Sequence, residues 1–337
     1  MAAMSMPSSP RPRRLLLVVD APSLLHRNHH ARAHTRMIDR AGRPAWALHG
    51  MLRQILDSID AFAPDAVLFG LDDRTASVRR DAYPDYKAGR PEKDPLLSEQ
   101  LDRAGSMLDA LGLATHTPPG LEADDVNASA AAWAGRNGWD CVVITSDRDA
   151  FALISDHTKV LRLINGGING SPLLNPARLY AMYGVPADRY LEYAALRGDA
   201  SDNLPGVSGI GEKTAAALLV QVGPMDGVWS DIDHNDGRQV TAILDAWAAE
   251  TGVRRIAPRV VRALSAPGAR ERYEFNLRMM TCHTDLDLRL TPDIPGTPGL
   301  LPLDIDRVTR VVRFLGVDAT TAVAQRVLST NPASTVA

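Results

Sequence analysis

Apolar residues fall along the chain in two kinds of stretch, short unbroken runs and longer periodic segments, and the two alternate. Leu15 to Val19 is an unbroken run closed by Asp20, and Ala66 to Leu71 is a second one closed by Asp72. Such runs read as strands buried on both faces of a sheet, each with an acid at its carboxyl end. Between them, apolar residues recur at Leu48, Leu52, Ile55, Ile59 and Phe62. That spacing predicts an amphipathic helix over Trp46 to Phe62, stopped by Pro64. Leu96 to Leu111 is again helical in pattern, followed by a short strand at 113–117, the Pro118-Pro119-Gly120 break, a helix from about Glu122 to Arg136 and a strand from Cys141 to Thr145. Val160 to Ile164 predicts a further strand, and Gly166 to Gly170 a tight turn. From Pro176 onward the pattern is helical, with one returning strand expected near Met279 to His283. Residues 290–302 are loose and proline-rich, and Ile305 to Leu315 and Thr320 to Leu328 predict short terminal helices. Strands alternating with helices imply an α/β fold with a parallel sheet. No internal repeat is present.

Length adds a second unit to this picture. A chain of 337 residues exceeds one average domain. The pattern divides it into a Pro- and Ser-rich disordered tail (1–13), an α/β domain (14–175), a helical region (176–290) and an extension (291–337). Cys141 and Cys282 lie far apart, each beside apolar residues, so neither a disulfide framework nor a cysteine zinc site is expected. That points to a reducing, cytoplasmic setting. The run at Leu15 is too short for a signal peptide or a span, so no membrane association is expected.

The 37 Lys+Arg against 40 Asp+Glu make the chain slightly acidic, but the charges are sorted. Between Arg11 and Arg43 there are eight arginines against two aspartates, with four histidines interleaved. A second basic stretch, from Arg74 to Lys93, surrounds Tyr83 and Tyr86. Each stretch directly follows one of the acid-terminated strands. Solvated surface is the ordinary reading of such stretches; here they place bases beside acids.

In open parallel sheets ligands bind at the carboxyl ends of strands, so acids gathered there converge although distant in sequence. Asp20, Asp72 with Asp73, and Asp147 with Asp149 follow strands, Glu122-Ala-Asp124-Asp125 opens a helix, and Asp199 and Asp202 form a further group. Glu122 and Asp125, three apart, are expected on one face of the first turn. Favourable placement at a helix dipole accounts for one or two such acids, not for the coincidence with three strand ends. Converging carboxylates repel, and a fold that gathers them ordinarily supplies divalent cations. Oxygen-only ligands suit Mg²⁺ or Mn²⁺, and two such ions roughly 4 Å apart can activate water and stabilise the leaving oxygen of a phosphodiester. His26, His29, His30 and His34 lie at helical spacing and are read as a surface helix in preference to a transition-metal site.

Residues 206–215, Gly-Val-Ser-Gly-Ile-Gly-Glu-Lys-Thr-Ala, form a glycine-punctuated turn entering a helix. Gly209 and Gly211 let the backbone approach a phosphate, and free N–H groups at the helix start, with Lys213 and Thr214, make a sequence-independent phosphate site. This is a helix–hairpin–helix signature. The spacing of a Walker loop is absent, so ATP hydrolysis is not indicated.

With these residues assembled, the sequence resembles the bacterial 5′–3′ exonuclease and flap endonuclease family, which includes the amino-terminal nuclease domain of family A DNA polymerases. The resemblance runs from about residue 15 to about 290. It is carried by Ala82-Tyr-Pro-Asp-Tyr-Lys-Ala-Gly-Arg90, Glu122-Ala-Asp-Asp125, Thr145-Ser-Asp-Arg-Asp149, Gly198-Asp-Ala-Ser-Asp-Asn203 and Gly209-Ile-Gly-Glu-Lys-Thr-Ala215. It implies a PIN-like, resolvase-like parallel sheet flanked by helices, with a helical helix–hairpin–helix (H3TH) region after it. It also implies an arch over about 84–115, through which a 5′ single strand passes. Asp20, Asp72, Glu122 and Asp124 match ligands of a first metal. Asp147, Asp149 and Asp202 match those of a second, with Asp125 and Asp199 as further acids of the cluster. Lys87 and Arg79 match basic groups at the scissile phosphate, and Arg27 and Arg90 join the hairpin as DNA contacts. A K⁺ ion at the hairpin belongs to the same implication, as do a monomeric state, DNA with a 5′ flap or 5′ end (including RNA-primed ends) as partner, and a nucleoid-associated location. The chain departs from the family at Ala21-Pro22, where glycine is usual after the aspartate, at His26 to His30, where aromatics are usual, and at Asp73. Two other readings are a catalytically silent junction-binding protein and a PIN-like ribonuclease. The full acid set argues against the first, and the hairpin against the second.

Overall fold

The computed structural model describes residues 13–329 apart from Pro292 and Pro295. The expected tail thus lies outside the described residues except for Arg13, whose guanidinium pairs with Asp140 at 3.0 Å and donates to the Trp139 carbonyl. Residues 330–337 of the expected extension lie outside as well.

The first half alternates as the pattern predicts. β1 (Leu15–Asp20), α1 (Ala21–Arg32), α2 (Trp46–Phe62), β2 (Ala66–Gly70), α3 (Val78–Ala82), α4 (Pro95–Leu111), β3 (Ala114–His116), α5 (Ala123–Arg136), β4 (Asp140–Thr145), β5 (Thr158–Arg162), α6 (Gly167–Gly170) and β6 (Leu173–Leu174) follow in order. The sheet order is β3-β2-β1-β4-β5-β6, parallel throughout except for β6 at the edge. Successive side chains of a strand point to opposite faces. Leu17 and Val19 therefore enter one core with α1, α2 and α4, while Leu16 and Val18 enter another with α5 and the helices after it. The helix α2 buries Leu48, Leu52, Ile55 and Ile59, and ends where Ala63 turns left-handed ahead of Pro64. The chain turns in opposite directions from β1 to β2 and from β1 to β4, so the carboxyl ends of β1 and β4 form the switch point where such sheets bind ligands.

The second half is helical: α7 (Pro176–Tyr183), α8 (Tyr190–Arg197), a two-rung hairpin of β7 (Gly198–Asp199) and β8 (Leu204–Pro205), then α9 (Glu212–Gln221), α10 (Met225–Asn235), α11 (Arg238–Thr251), α12 (Ala257–Leu264) and α13 (Ala269–Met280). The hairpin is tight. A Cβ on Gly206 would lie 2.1 Å from the Arg197 carbonyl oxygen. It follows that no other residue fits there without moving backbone.

Three expectations are corrected. Met279 and Met280 end α13 rather than open a strand, because they continue the buried stripe of Tyr273 and Asn276. The backbone beyond them is taken by side chains of α5: His283 N–H donates to Asp125, and Ser129 donates to the His283 carbonyl. Gly166 to Gly170 is not a simple turn but contains the short helix α6. The histidine segment is not a plain surface helix, since His29 is buried in α1, its ring 5.5 Å from Trp46. The departure at Pro22 has a structural reason. Pro22 stands in the first turn of α1, where a missing N–H costs nothing.

After residue 290 the chain returns to the sheet. Val67 N–H donates to the Gly299 carbonyl, and Leu301 N–H to that of Asp65. Two helices close the fold, α14 (Ile305–Phe314) and α15 (Asp318–Ser329), packed on α4 and α2.

Candidate active site

A cleft of about 680 Å³ opens at the carboxyl ends of β1 and β4. Asp20, Asp72, Glu122, Asp124 and Asp147 line it together with Lys87, Arg90, Lys93, Arg27, His26 and His30. A second cleft of about 660 Å³ shares Asp147 and continues to Asp199, with Glu212 at its rim. Five acids drawn from four segments thus meet in one cleft, and Asp199 joins at the next.

Each acid is placed by its element. Asp20 ends β1 and caps α1. Its Oδ1 accepts from Ser23 N–H at 2.9 Å, and its Oδ2 from the Thr145 hydroxyl at 2.7 Å. Burial pushes Asp20 up to about 7 against these two donors, and the charges of Asp72 and Asp147 add to the rise. Asp72 follows β2 and accepts from Ala123 N–H at the start of α5. Burial raises it, and that N–H draws it back down. Burial also lifts Asp124 well above the ordinary carboxylate range, with Asp20 and Asp147 adding to it, and its Oδ1 is buried with no hydrogen-bond partner. Asp149 is pushed up to about 8, by burial first and then by Asp147, Asp199 and Asp202.

Bases hold the other acids. Burial works to raise Glu122, but Lys87 at 2.7 Å, with Arg79 and Tyr86, leaves it below the ordinary range. Lys87 takes a left-handed backbone conformation, φ 59°, and its N–H donates to the Asp202 carbonyl. Asp202 pairs with Arg90 at 2.5 Å and lies 3.9 Å from the Lys87 ammonium. Asp199 accepts from the backbone and hydroxyl of Ser201. The segment carrying Lys87 and Arg90 therefore bridges from the sheet to the β7–β8 hairpin, joined further by Asn203 donating to the Asp85 carbonyl.

Asp125 and Arg79 depart from the expectation. Asp125 does not face the cleft beside Glu122: its two oxygens accept from both terminal nitrogens of Arg79 and from the N–H groups of His283 and Glu122. Four donors saturate it. Arg79 also donates to the Met279 carbonyl, so this pair clamps α3, α5 and the end of α13 together and leaves no free oxygen for a metal. Burial would raise Asp125, and Arg79 with those N–H groups more than offsets it, holding it below the ordinary range.

At the hairpin, Gly209 has φ 84°, Gly211 caps α9, and Lys213 is exposed without an ion pair among the described residues, with Thr214 next to it. Arg27 donates to Asn165 at the cleft wall. Sequence reasoning missed the hydroxyls around Asp20. Besides Thr145, Ser23 and Ser146 meet at 2.5 Å. The polar pair Thr145-Ser146 between a strand and Asp147 was the available signal. It named Tyr86 and Lys93 only as parts of a basic stretch and His26 only in the histidine segment, without a role for the Tyr86 hydroxyl that donates to Glu122 or for Lys93 and His26 in lining the cleft.

Among the described residues no group of three or more His, Cys, Asp or Glu side chains stands arranged to hold a metal ion. Basic side chains lie between the acids, Lys87 between Glu122 and Asp202, and like charges keep the remainder apart. The donor chemistry nonetheless fits a hard divalent cation. All the candidate donors are carboxylate oxygens, and the buried Asp124 Oδ1 has no donor of its own.

Without a cation, Asp20 and Asp149 keep protons in the folded state up to about pH 7 and about pH 8, whereas the unfolded chain loses them near pH 4. The folded state binds more protons across that window, so stability falls as pH rises through it. The thermal midpoint in EDTA is expected to drop between about pH 5 and about pH 8, and Mg²⁺ to restore it at the upper end; a flat profile in EDTA would refute the burial of these charges. Asp125→Ala strands the buried Arg79 and is expected to cost about 3–5 kcal/mol, read as a lower midpoint in urea. A midpoint equal to wild type would remove the clamp.

Residues 15–184 match the 5′–3′ exonuclease N-terminal resolvase-like domain, and residues 185–293 the 5′–3′ exonuclease C-terminal SAM fold. Thermostable DNA polymerase I of Thermus aquaticus is 37% identical over 223 residues, 66% of this chain and 26% of that protein. DNA polymerase I of Mycobacterium tuberculosis is 33% identical over 234 residues, 69% of this chain and 26% of that protein. The chain spans about a quarter of the length of these curated relatives. Among solved structures, T5 5′-exonuclease with divalent zinc ions bound has a TM-score of 0.52 at 18% identity, covering 80% of this chain and 100% of that one. The catalytic core of Rad2 in complex with DNA substrate has a TM-score of 0.53 at 18% identity, covering 94% and 92%. At such identities the likeness is one of fold: a PIN-like resolvase domain followed by a helical SAM-like fold. The two domain matches adjoin without a gap, and together with the polymerase relatives they establish that the chain belongs to the 5′–3′ exonuclease family, a family of DNA nucleases.

Proposed function

We propose that the chain is a structure-specific 5′-nuclease, hydrolysing DNA phosphodiesters at 5′ ends and at junctions of single strand and duplex, including RNA-primed ends, in primer removal and repair. The observation that supports this is one cleft at the sheet's switch point in which acids from four segments are lined up together with Lys87, Arg90, Lys93 and Arg27. Asp20, Asp72, Glu122 and Asp124 would hold one divalent cation, Mg²⁺ or Mn²⁺, and Asp147, Asp149 and Asp202, with Asp199 nearby, a second. Such ions, when bound, lower the pKa of water and offset charge on a phosphate.

The chain's own groups do the rest. Lys87 sits with its ammonium between Glu122 and Asp202, where it can offset charge developing on the transferred phosphoryl group. Arg90 and Arg27 flank the cleft and can follow the backbone of an unpaired strand. The segment over about 84–115 would form the arch, its first part already bridging to the β7–β8 hairpin. Arg79, held by Asp125 and Glu122, acts by fixing Glu122 and not by touching phosphate. Gly209, Gly211, Lys213 and Thr214 would grip duplex phosphates, with K⁺ as their monovalent ion. The protein would act as a monomer, in the cytoplasm at the nucleoid where its DNA lies. The SAM fold after the sheet supports this reading over a PIN-like ribonuclease.

The deciding experiment is cleavage of a 5′-labelled flap duplex in EDTA, Mg²⁺ or Mn²⁺, with the product mapped and Asp147→Ala run beside wild type. Metal-dependent cutting near the junction, lost in the variant, is expected. Tight flap binding with no cut in either metal would instead identify a silent junction-binding protein. Lys213→Glu should weaken duplex binding and lower its salt slope by about 1. An unchanged slope would take the hairpin off the DNA contact surface.

A further inference from the structure

The packing of α14 on α4 encloses a pocket of about 380 Å³, none of whose residues lines either cleft of the candidate active site. Its interior is apolar, formed by Leu48, Met107, Val311 and Phe314 among others, and Phe314 keeps 44% of its surface exposed. Arg43, Arg103 and Arg310 line it as well, and no carboxylate does. Arg43 and Arg103 share the single buried Asp39, at 3.0 and 2.5 Å, and the Arg43 guanidinium lies 5.7 Å from the Phe314 ring. Arg103 also pairs with Glu99 at 3.4 Å, so Arg43 and Arg103 are matched by two carboxylates, neither of which lines the pocket. Arg310 makes no ion pair among the described residues, which leaves the mouth with one uncompensated positive charge.

A concave apolar site of this volume accepts one or two side chains, and its cationic mouth selects what surrounds them. We propose that this pocket docks an acidic peptide segment of a partner protein, which inserts an apolar side chain between α4 and α14 and sets a carboxylate against the unpaired Arg310, beside Arg43 and Arg103. One wall of the pocket is α14, which begins at Ile305, beyond residue 293 where the family match ends. The other wall is α4, which directly follows the segment bearing Lys87, Arg90 and Lys93. An occupant would therefore rest on the helix next to that segment without entering the cleft. That placement suits recruitment.

Fluorescence anisotropy with a panel of labelled peptides tests this, each peptide carrying Leu, Ile, Phe or Met flanked by aspartates, with asparagine-flanked counterparts as controls. At least one aspartate peptide should bind about tenfold or more tighter than its asparagine counterpart, with affinity falling as salt rises. Arg310→Glu and Ala110→Trp, both at exposed positions, should each weaken that binding by about tenfold or more, while flap cleavage and the thermal midpoint stay at their wild-type values. The proposal fails if no peptide in the panel binds, if asparagine peptides bind equally, or if both variants bind as wild type does. It fails too if octanoate fills the pocket where no peptide does, which would make it a site for a small apolar acid, or if duplex DNA displaces the peptide, which would make the arginines part of a DNA track.

Discussion

Asp20, Asp124 and Asp149 draw carboxylates partly out of water at the cleft, and each carboxylate withdrawn there must find a donor, a cation or a proton. Much of the surrounding architecture answers that demand. Asp20 receives a hydroxyl from β4 and an N–H from α1, and Asp72 receives the N–H that opens α5. Glu122 and Asp202 are held by Lys87 and Arg90, which arrive on a segment reaching across from the sheet to the β7–β8 hairpin. Charge balance is thus what joins the helical second half to the sheet at the cleft. Asp124 keeps a buried oxygen that no donor among the described residues satisfies.

The clamp made by Asp125 and Arg79 works by the same rule turned to a different end. Four donors on one buried carboxylate leave nothing to bind a ligand, but they tie the start of α5 to α3 and to the chain leaving α13. Neighbouring acids in one motif therefore divide the work. Glu122 and Asp124 line the cleft, whereas Asp125 is buried on Arg79 and the N–H groups of His283 and Glu122.

The strand-end acids were legible because each closes an unbroken apolar run, and a parallel sheet admits only one place where such ends meet. Asp125 was not, since a spacing of three along a helix puts two side chains on one face only when neither is drawn into the capping of the turn itself. The hydroxyls of Ser23, Thr145 and Ser146 were invisible for another reason: their value lies in pairing β1 with β4, residues more than a hundred positions apart. The false strand at Met279 to His283 shows the limit of short apolar runs, which look alike at a helix end and in a sheet. The buried face of His29 escaped notice because its partner, Trp46, belongs to the next helix.

The return of the chain after residue 290 bears on how the protein is made. Leu301, Val308, Val312 and Leu328 share one core with Leu17 and Val19 of the first strand, and the backbone near Gly299 pairs with the start of β2, ahead of the stretch that β3 covers. A Cβ at Gly299 would meet the Val67 carbonyl oxygen at 2.3 Å, so the seam closes only with glycine there. On a ribosome the amino-terminal strands emerge first, yet the parts of α2 and α4 that α15 and α14 cover stay exposed until those two helices have left the exit tunnel. For that interval the nascent chain displays a surface that chaperones recognise.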